Sequence, residues 1–170
     1  MARGTGVLNE YVLGVKKATP DADKTENGGG QVIAIAGNFE TEAADDAGSK
    51  YRLCNLNANL VPIQIELNCD SIADATDVDL GLYESLEHGG AVKDADILMD
   101  GTDINAGAAL GSEVNCMTAV PIASIGKALF ELAGDTVPTP DMTYDLVLTM
   151  NSNVSAAGTI AIRGLFAKQA

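Results

Sequence analysis

The sequence predicts an all-β fold, an antiparallel β-sandwich or jelly roll with one short helix and an N-terminal arm. Three observations predict it. Short apolar runs recur along the chain, and several alternate strictly between apolar and polar positions, the period of a strand with one face in a core. Clusters of Gly, Asn, Asp and Thr separate these runs and supply the turns between them. No run is followed by a regular helical partner, so the βα repeats that build parallel sheets are missing. A chain of 170 residues is one ordinary domain, or a domain with an arm, and at 46% apolar it holds enough material for a real core. With no Trp, three Phe and four Tyr, that core is mostly aliphatic.

Residues 1–30 differ from the rest of the chain and are expected to form an N-terminal arm and flexible linker, with residues 31–170 as the β-sandwich domain. Arg3, Lys16 and Lys17 against Glu10 make the start of the chain locally basic. Val7, Leu8, Tyr11, Val12, Leu13 and Val15 lie between them as an apolar patch. "ATPDADKTENGGG" then tethers this patch, a polar stretch ending in three glycines. A basic and apolar arm on a glycine tether suits docking on a neighbour.

From Gln31 the signal is strands. "QVIAIAGNF" is short, apolar and β-branched, and "SKYRLCNLN" comes after it. "LVPIQIELN" alternates, with Val61, Ile63, Ile65 and Leu67 on one face and Gln64, Glu66 and Asn68 on the other. Pro62 lacks an amide proton and belongs at the start of that strand or on an edge. "DVDLGLYE" places Val78, Leu80 and Leu82 inward and Asp77, Asp79 and Tyr83 outward. "DADILM" is the next strand, reached across a turn at Gly89–Gly90. Residues 101–115 read as a long surface loop. "SIGKALFELAG" is the helical stretch: Ile125, Leu129 and Leu132 recur at helical spacing, Ser124 serves as cap and Gly134 as terminator. "TYDLVLTM" and "GTIAIRGLF" close the domain, for about eight strands in all.

Composition excludes several functions. A net charge of −14 repels phosphate backbones and anionic lipid, so neither nucleic acid nor membrane is an expected partner. No stretch approaches the roughly 18–20 apolar residues of a membrane span. The N-terminus lacks the apolar core and cleavage site of a signal peptide, which points to synthesis in a cytosol. Cys54, Cys69 and Cys116 are odd in number and contain no CxxC, and are expected as free thiols.

The densest acidic stretch, "DVDLGLYESLEHGGAVKDADILMDG" at 77–101, also carries the single histidine, His88. In a strand Asp77 and Asp79 point the same way about 7 Å apart, given a rise of about 3.3 Å per residue. That arrangement describes a solvated face rather than a catalytic pair, and Glu84, Glu87 and His88 fall in the reversing loop. Calcium is the metal best matched to an oxygen-rich chain. An EF-hand reading from Asp23 fits Thr25, Asn27 and Gly28 loosely but meets Ala34 at the bidentate position, and Asp100, Asp103 and Asn105 form no recognisable loop. One His and three scattered Cys do not make a zinc site. There is no GxSxG, and "IASIGK" fails as a phosphate loop at Pro121 and Ala128. Paired carboxylates for sugar hydrolysis are not indicated, and little aromatic surface is available for a carbohydrate platform. "NVS" at 153–155 fits a glycosylation sequon, without meaning in a cytosolic chain. No catalytic, metal or cofactor residue is assigned, and an enzyme is not expected.

Three segments together carry a resemblance: "YRLCNLNANLVPIQIELNCDSI" at 51–72, "DVDLGLYESLEHGGAVKDADIL" at 77–98 and "LFELAGD" at 129–135. In order and spacing they resemble head decoration, or cement, proteins of tailed bacteriophages. There a Tyr-Arg-Leu strand precedes an aliphatic strand, then Asp-x-Gly-[Leu/Val]-Tyr, a Gly-Gly-Ala-Val-x-Asp-Ala-Asp turn and an aromatic-Glu-Leu-x-Gly segment. Phe130 stands where a larger aromatic is expected, Asp135 follows Gly134, and the arm lies outside the match. The resemblance implies a structural virion protein: a β-sandwich dimer or trimer on the outer surface of the phage head. It would bind across major capsid protein subunits of an HK97-fold shell after synthesis in the bacterial cytoplasm, with Arg3, Val7, Leu8, Tyr11, Val12, Leu13, Lys16 and Lys17 as the capsid-docking arm. The alternative is a calcium- or carbohydrate-binding β-sandwich module of a phage fibre or tail.

Overall fold

The computed structural model describes residues 31–136 and 142–168. They form two four-stranded antiparallel sheets. The strands are β1 (Val32–Glu40), β2 (Ser49–Asn57), β3 (Leu60–Cys69), β4 (Val78–Glu84), β5 (Val92–Thr102), β6 (Val114–Asn115), β7 (Thr143–Met150) and β8 (Thr159–Lys168). The first sheet runs β1-β8-β3-β6 and the second β2-β7-β4-β5. Strands pair as 1 with 8, 2 with 7, 3 with 6 and 4 with 5, a long hairpin folded back at the β4–β5 turn and rolled into two layers. This is jelly-roll topology, as the alternation predicted. The histidine-containing stretch is therefore the tip of the roll: a 3₁₀ turn at Leu86–His88, then Gly89 and Gly90 at φ +102° and +68°. Those angles suit glycine.

The core lies between the sheets and is aliphatic. Ile65, Leu67, Leu80, Leu82, Leu98, Met99, Leu146, Leu148, Ile160 and Phe166 are fully buried or nearly so. Val78, Leu80 and Leu82 face inward as predicted. Along β3 the predicted alternation breaks. Pro62 pairs with Phe166 and Gln64 with Leu165, so Ile63 is the extra residue of a bulge. The bulge reverses parity: Leu60 and Pro62 are buried before it, Ile65 and Leu67 after it, and Ile63 itself is 52% exposed. Pro62 is tolerated because β6 reaches β3 only at Glu66 and Leu67, leaving the start of β3 with one neighbour.

Other elements also differ from expectation. β5 extends from Val92 to Thr102, longer than the predicted "DADILM". The predicted loop 101–115 contains the two-residue β6, too short to carry an alternation signal. The predicted helix from Ser124 contracts to α1 (Leu129–Leu132), preceded by a separate 3₁₀ turn at Ile122–Ser124. Gly126 at φ +86° breaks it, and Ile125 is 69% exposed rather than packed. The helix is capped at Ala128, whose N–H donates to Glu131 Oε2 at 2.9 Å, not at Ser124. Its end matches expectation. Gly134 at φ +80° donates to Glu131 O at 3.2 Å and Asp135 N–H to Phe130 O at 2.8 Å, a Schellman closure.

Candidate functional site

The acidic stretch uses its carboxylates on the chain itself. Asn151 Nδ2 donates to Asp77 Oδ1 at 3.2 Å and Asp79 Oδ2 at 2.6 Å, and the Gly101 N–H donates to Asp79 Oδ1 at 2.8 Å. These bonds tie the start of β4 to the end of β7 and to β5. His88 is exposed, with Nδ1 2.7 Å from Ser85 Oγ, and braces the turn locally. Asp103 Oδ1 accepts from the Asn105 N–H at 2.8 Å, and Asn105 Oδ1 accepts from the Asp74 N–H at 3.2 Å. Among the described residues no three His, Cys, Asp or Glu side chains are placed to hold a metal ion. Burial pushes the Cys54 thiol up to about 11 and the Cys116 thiol up to about 12, so neither is a ready nucleophile. Lys127 of the rejected phosphate-loop motif donates to Ser124 Oγ at 3.3 Å. Asn153 of the sequon accepts from the Ala47 N–H at 2.8 Å.

Several residues behind the sequence resemblance, Arg52, Tyr83, Glu84 and Gly90, meet on the outer face of the β2-β7-β4-β5 sheet. Arg52 Nη1 donates to Asp145 Oδ2 at 2.6 Å and to Glu84 O at 3.1 Å, and Nη2 donates to Gly90 O at 2.9 Å. Its guanidinium lies 5.6 Å from the Tyr83 ring centroid. Asp145, 7% exposed, also accepts from Asn55 Nδ2 at 2.9 Å. One arginine thus fastens the roll's tip to β7. Tyr83 does point outward as predicted, yet it is buried, with the Arg52 guanidinium lying over its ring. Alongside, Lys93 Nζ sits 3.0 Å from Glu84 Oε1 and 3.2 Å from Asp135 Oδ1. Tyr144 donates its hydroxyl to Asp135, and burial followed by that bond raises its pKa above the ordinary tyrosine value. The Arg-Leu, Gly-Leu-Tyr, Gly-Gly and Leu-x-Gly-Asp motifs are one fastening of strands, tip and α1.

The outer face of the β1-β8-β3-β6 sheet is different. Its rows run Val32–Ala167–Val61, Ala34–Leu165–Gln64, Ala36–Arg163–Glu66 and Asn38–Ala161–Asn68. Val32 is 58% and Leu165 38% exposed, and Ala34 and Ala36 are exposed beside them. Arg163 is the row's cation, with Nε 2.7 Å from Glu66 Oε2 and Nη2 2.6 Å from Glu113 Oε1. Shallow depressions on either side of it are lined by Ala34, Ala36, Gln64 and Leu165, and by Asn38, Asn68, Leu110 and Ala161. On a chain of net charge −14 this face is shallow and lined mostly by small or uncharged residues. Sequence reasoning passed over it. The signal was present in "VIAIAGNF", which is apolar at consecutive positions rather than alternate ones. The predicted docking residues Arg3, Val7, Leu8, Tyr11, Val12, Leu13, Lys16 and Lys17 lie outside the described residues.

No family model matches the chain, and no curated protein does. Two solved structures share its fold. A chain in the cyanophage Pam1 capsid asymmetric unit aligns with TM-score 0.51 at 15% identity, over 83% of this chain and 87% of that one. A chain in the capsid of Ralstonia phage GP4 aligns with TM-score 0.53 at 16% identity, over 81% of this chain and 86% of that one.

Proposed function

We propose that this chain is a virion structural protein of a tailed phage, a decoration or cement protein that binds across major capsid protein subunits on the outside of the head. The observation that carries the reading is the fold shared with chains of two phage capsids over more than four-fifths of each partner. The order of the Tyr-Arg-Leu, Gly-Leu-Tyr and Gly-Gly motifs supports it independently of the fold. So does the division of labour on the surface: one sheet's outer face is taken up by internal fastening, and the other is left shallow, with Arg163 held between Glu66 and Glu113.

A cement protein works by adding contact area across the joints of a shell. Symmetry supplies many copies, and each second contact forms at the effective concentration set by the first. In this reading residues 1–20 lie on the shell or enter a neighbouring subunit, with Val7, Leu8, Tyr11, Val12 and Leu13 as apolar anchors and Arg3, Lys16 and Lys17 meeting shell carboxylates. The basic arm offsets the acidic body, which would otherwise repel an acidic shell. The test is co-sedimentation with intact heads: stoichiometric binding of the full chain supports the assignment, and absence from heads overturns it. A chain lacking residues 2–20 should keep the β-rich circular dichroism spectrum and fail to bind. Full occupancy by that shortened chain would overturn the arm's role while leaving decoration intact.

A further inference from the structure

A sheet edge presents a row of unpaired amides and carbonyls, and native proteins protect such edges with charge, bulges, proline or brevity. Three of the four outer strands here are protected. β6 is two residues long. β5 departs from regular pairing at three places and carries Asp94, Asp96 and Asp100. β2 has a bulge between Arg52 and Cys54 and carries Lys50 and Arg52. β1 has none of these devices. Its nine residues pair with β8 in unbroken register from Val32–Ala167 to Glu40–Thr159, and Glu40 at its end is its one charge. Among the described residues nothing pairs with its other edge.

The ladder fixes which amides point outward. The Thr41 N–H donates to Gly158 O at 3.0 Å, in register with the β1–β8 pairs, so the odd-numbered residues of β1 bond toward β8. The amides of Val32, Ala34, Ala36, Asn38 and Glu40 therefore line the open edge. A two-fold axis at Ala36 would pair this edge with itself: Ala36 with Ala36, Ala34 with Asn38, Val32 with Glu40, and Ile33 with Phe39 on the inner face. Each Glu40 then meets a valine rather than its symmetry mate, and of the inner pairs Ile33–Phe39 is aromatic with β-branched while Ile35 meets Gly37.

We propose that β1 is the interface between two copies of this chain, joined antiparallel about Ala36 into one eight-stranded sheet. Self-complementarity favours a second copy over other occupants. The edge is its own complement about Ala36, and in that register neither Glu40 faces a carboxylate, so two acidic chains meet there without opposed like charges. Pairing also brings the two small Ala36 side chains together at the axis, with no bulk to hold the edges apart. The resulting sheet stays within the usual limit of about ten strands. This deepens the self-association expected of a decoration protein and rests on that reading only for its purpose, because dimerisation is measured without heads.

The test is sedimentation equilibrium of the full chain and two variants. Wild type should run as a dimer of about 35 kDa, twice 17.5 kDa. Ala36→Pro removes an open-edge amide without costing a β8 bond, and Ala36→Lys sets two ammonium groups opposite each other at the axis. Each should weaken dimerisation by about tenfold or more while circular dichroism stays that of the wild type. If Ala36→Pro fails to fold, Ala36→Lys alone decides. A monomeric wild type, a trimer, or a dimer that survives Ala36→Lys would each overturn the proposal. Loss of head binding with the dimer retained would count against the decoration reading and not against this interface.

Discussion

Replacing Gly81 by alanine tests the packing of the roll's tip. Gly81 has no left-handed φ, so its reason is space. A Cβ there would lie 2.2 Å from the Ala95 carbonyl carbon, 2.3 Å from Ala95 O and 2.3 Å from Asp94 O. Ordinary contact begins at 3.4 Å, so the β5 backbone must retreat by about 1.2 Å, the difference between 3.4 and 2.2 Å. All three atoms are backbone, and no side-chain rotamer change relieves the overlap. Retreat would pull β5 from β4 where register is already irregular, between Leu80–Met99 and Leu82–Asp94. Overpacking of this kind costs about 1–3 kcal/mol and more where backbone must move, so Gly81→Ala should lose about 3 kcal/mol. For a chain of this size that is a fall of roughly 6–12 °C in melting temperature. Gly37→Ala is the control: it has open space and no positive φ, and should stay within about 0.5 kcal/mol of wild type. Urea denaturation of both variants measures the difference. Equal stability of Gly81→Ala and Gly37→Ala would refute the close passage of β5 over Gly81.

Two further substitutions test the bulge and the fastening. Ile63→Ala should cost about 0.5 kcal/mol or less, because Ile63 projects from the bulge, whereas Ile65→Ala should cost about 2–5 kcal/mol from a fully buried site. Similar losses at both, by urea denaturation, would restore the simple alternation. Arg52→Ala leaves Asp145 buried with its closest cation removed, at an expected loss of about 2–3 kcal/mol. A double-mutant cycle with Asp145→Ala should show coupling above about 0.5 kcal/mol, and additive losses would mean the pair is not a working contact.

Much of the fold was legible because strands announce themselves by alternation. Val78, Leu80 and Leu82 read inward and are buried, and the Gly89–Gly90 reversal falls where two left-handed residues are needed. The misreadings have local causes. Alternation in "LVPIQIELN" continues through Ile63 in sequence, but a bulge changes the count of residues without changing their identity. The helical spacing of Ile125, Leu129 and Leu132 was real as arithmetic, yet Gly126 interrupts the backbone that would realise it.

The sequence by itself determined that this chain builds a two-layer β-domain with an aliphatic core, because a period of two and the turn residues depend only on near neighbours. It also determined the acidic surface and the identity of the tip. Tertiary structure alone decided what the motif residues do. Arg52, Tyr83, Gly90 and Asp145 are up to 93 residues apart, and only the rolling of the hairpin brings a guanidinium onto a buried carboxylate and a tip carbonyl. It also decided which strand is left open. Every strand segment reads alike until the sheet order is known, and the order places an unbulged β1, charged only at Glu40, at an edge. Edges are a property of pairing, which no single strand's sequence contains.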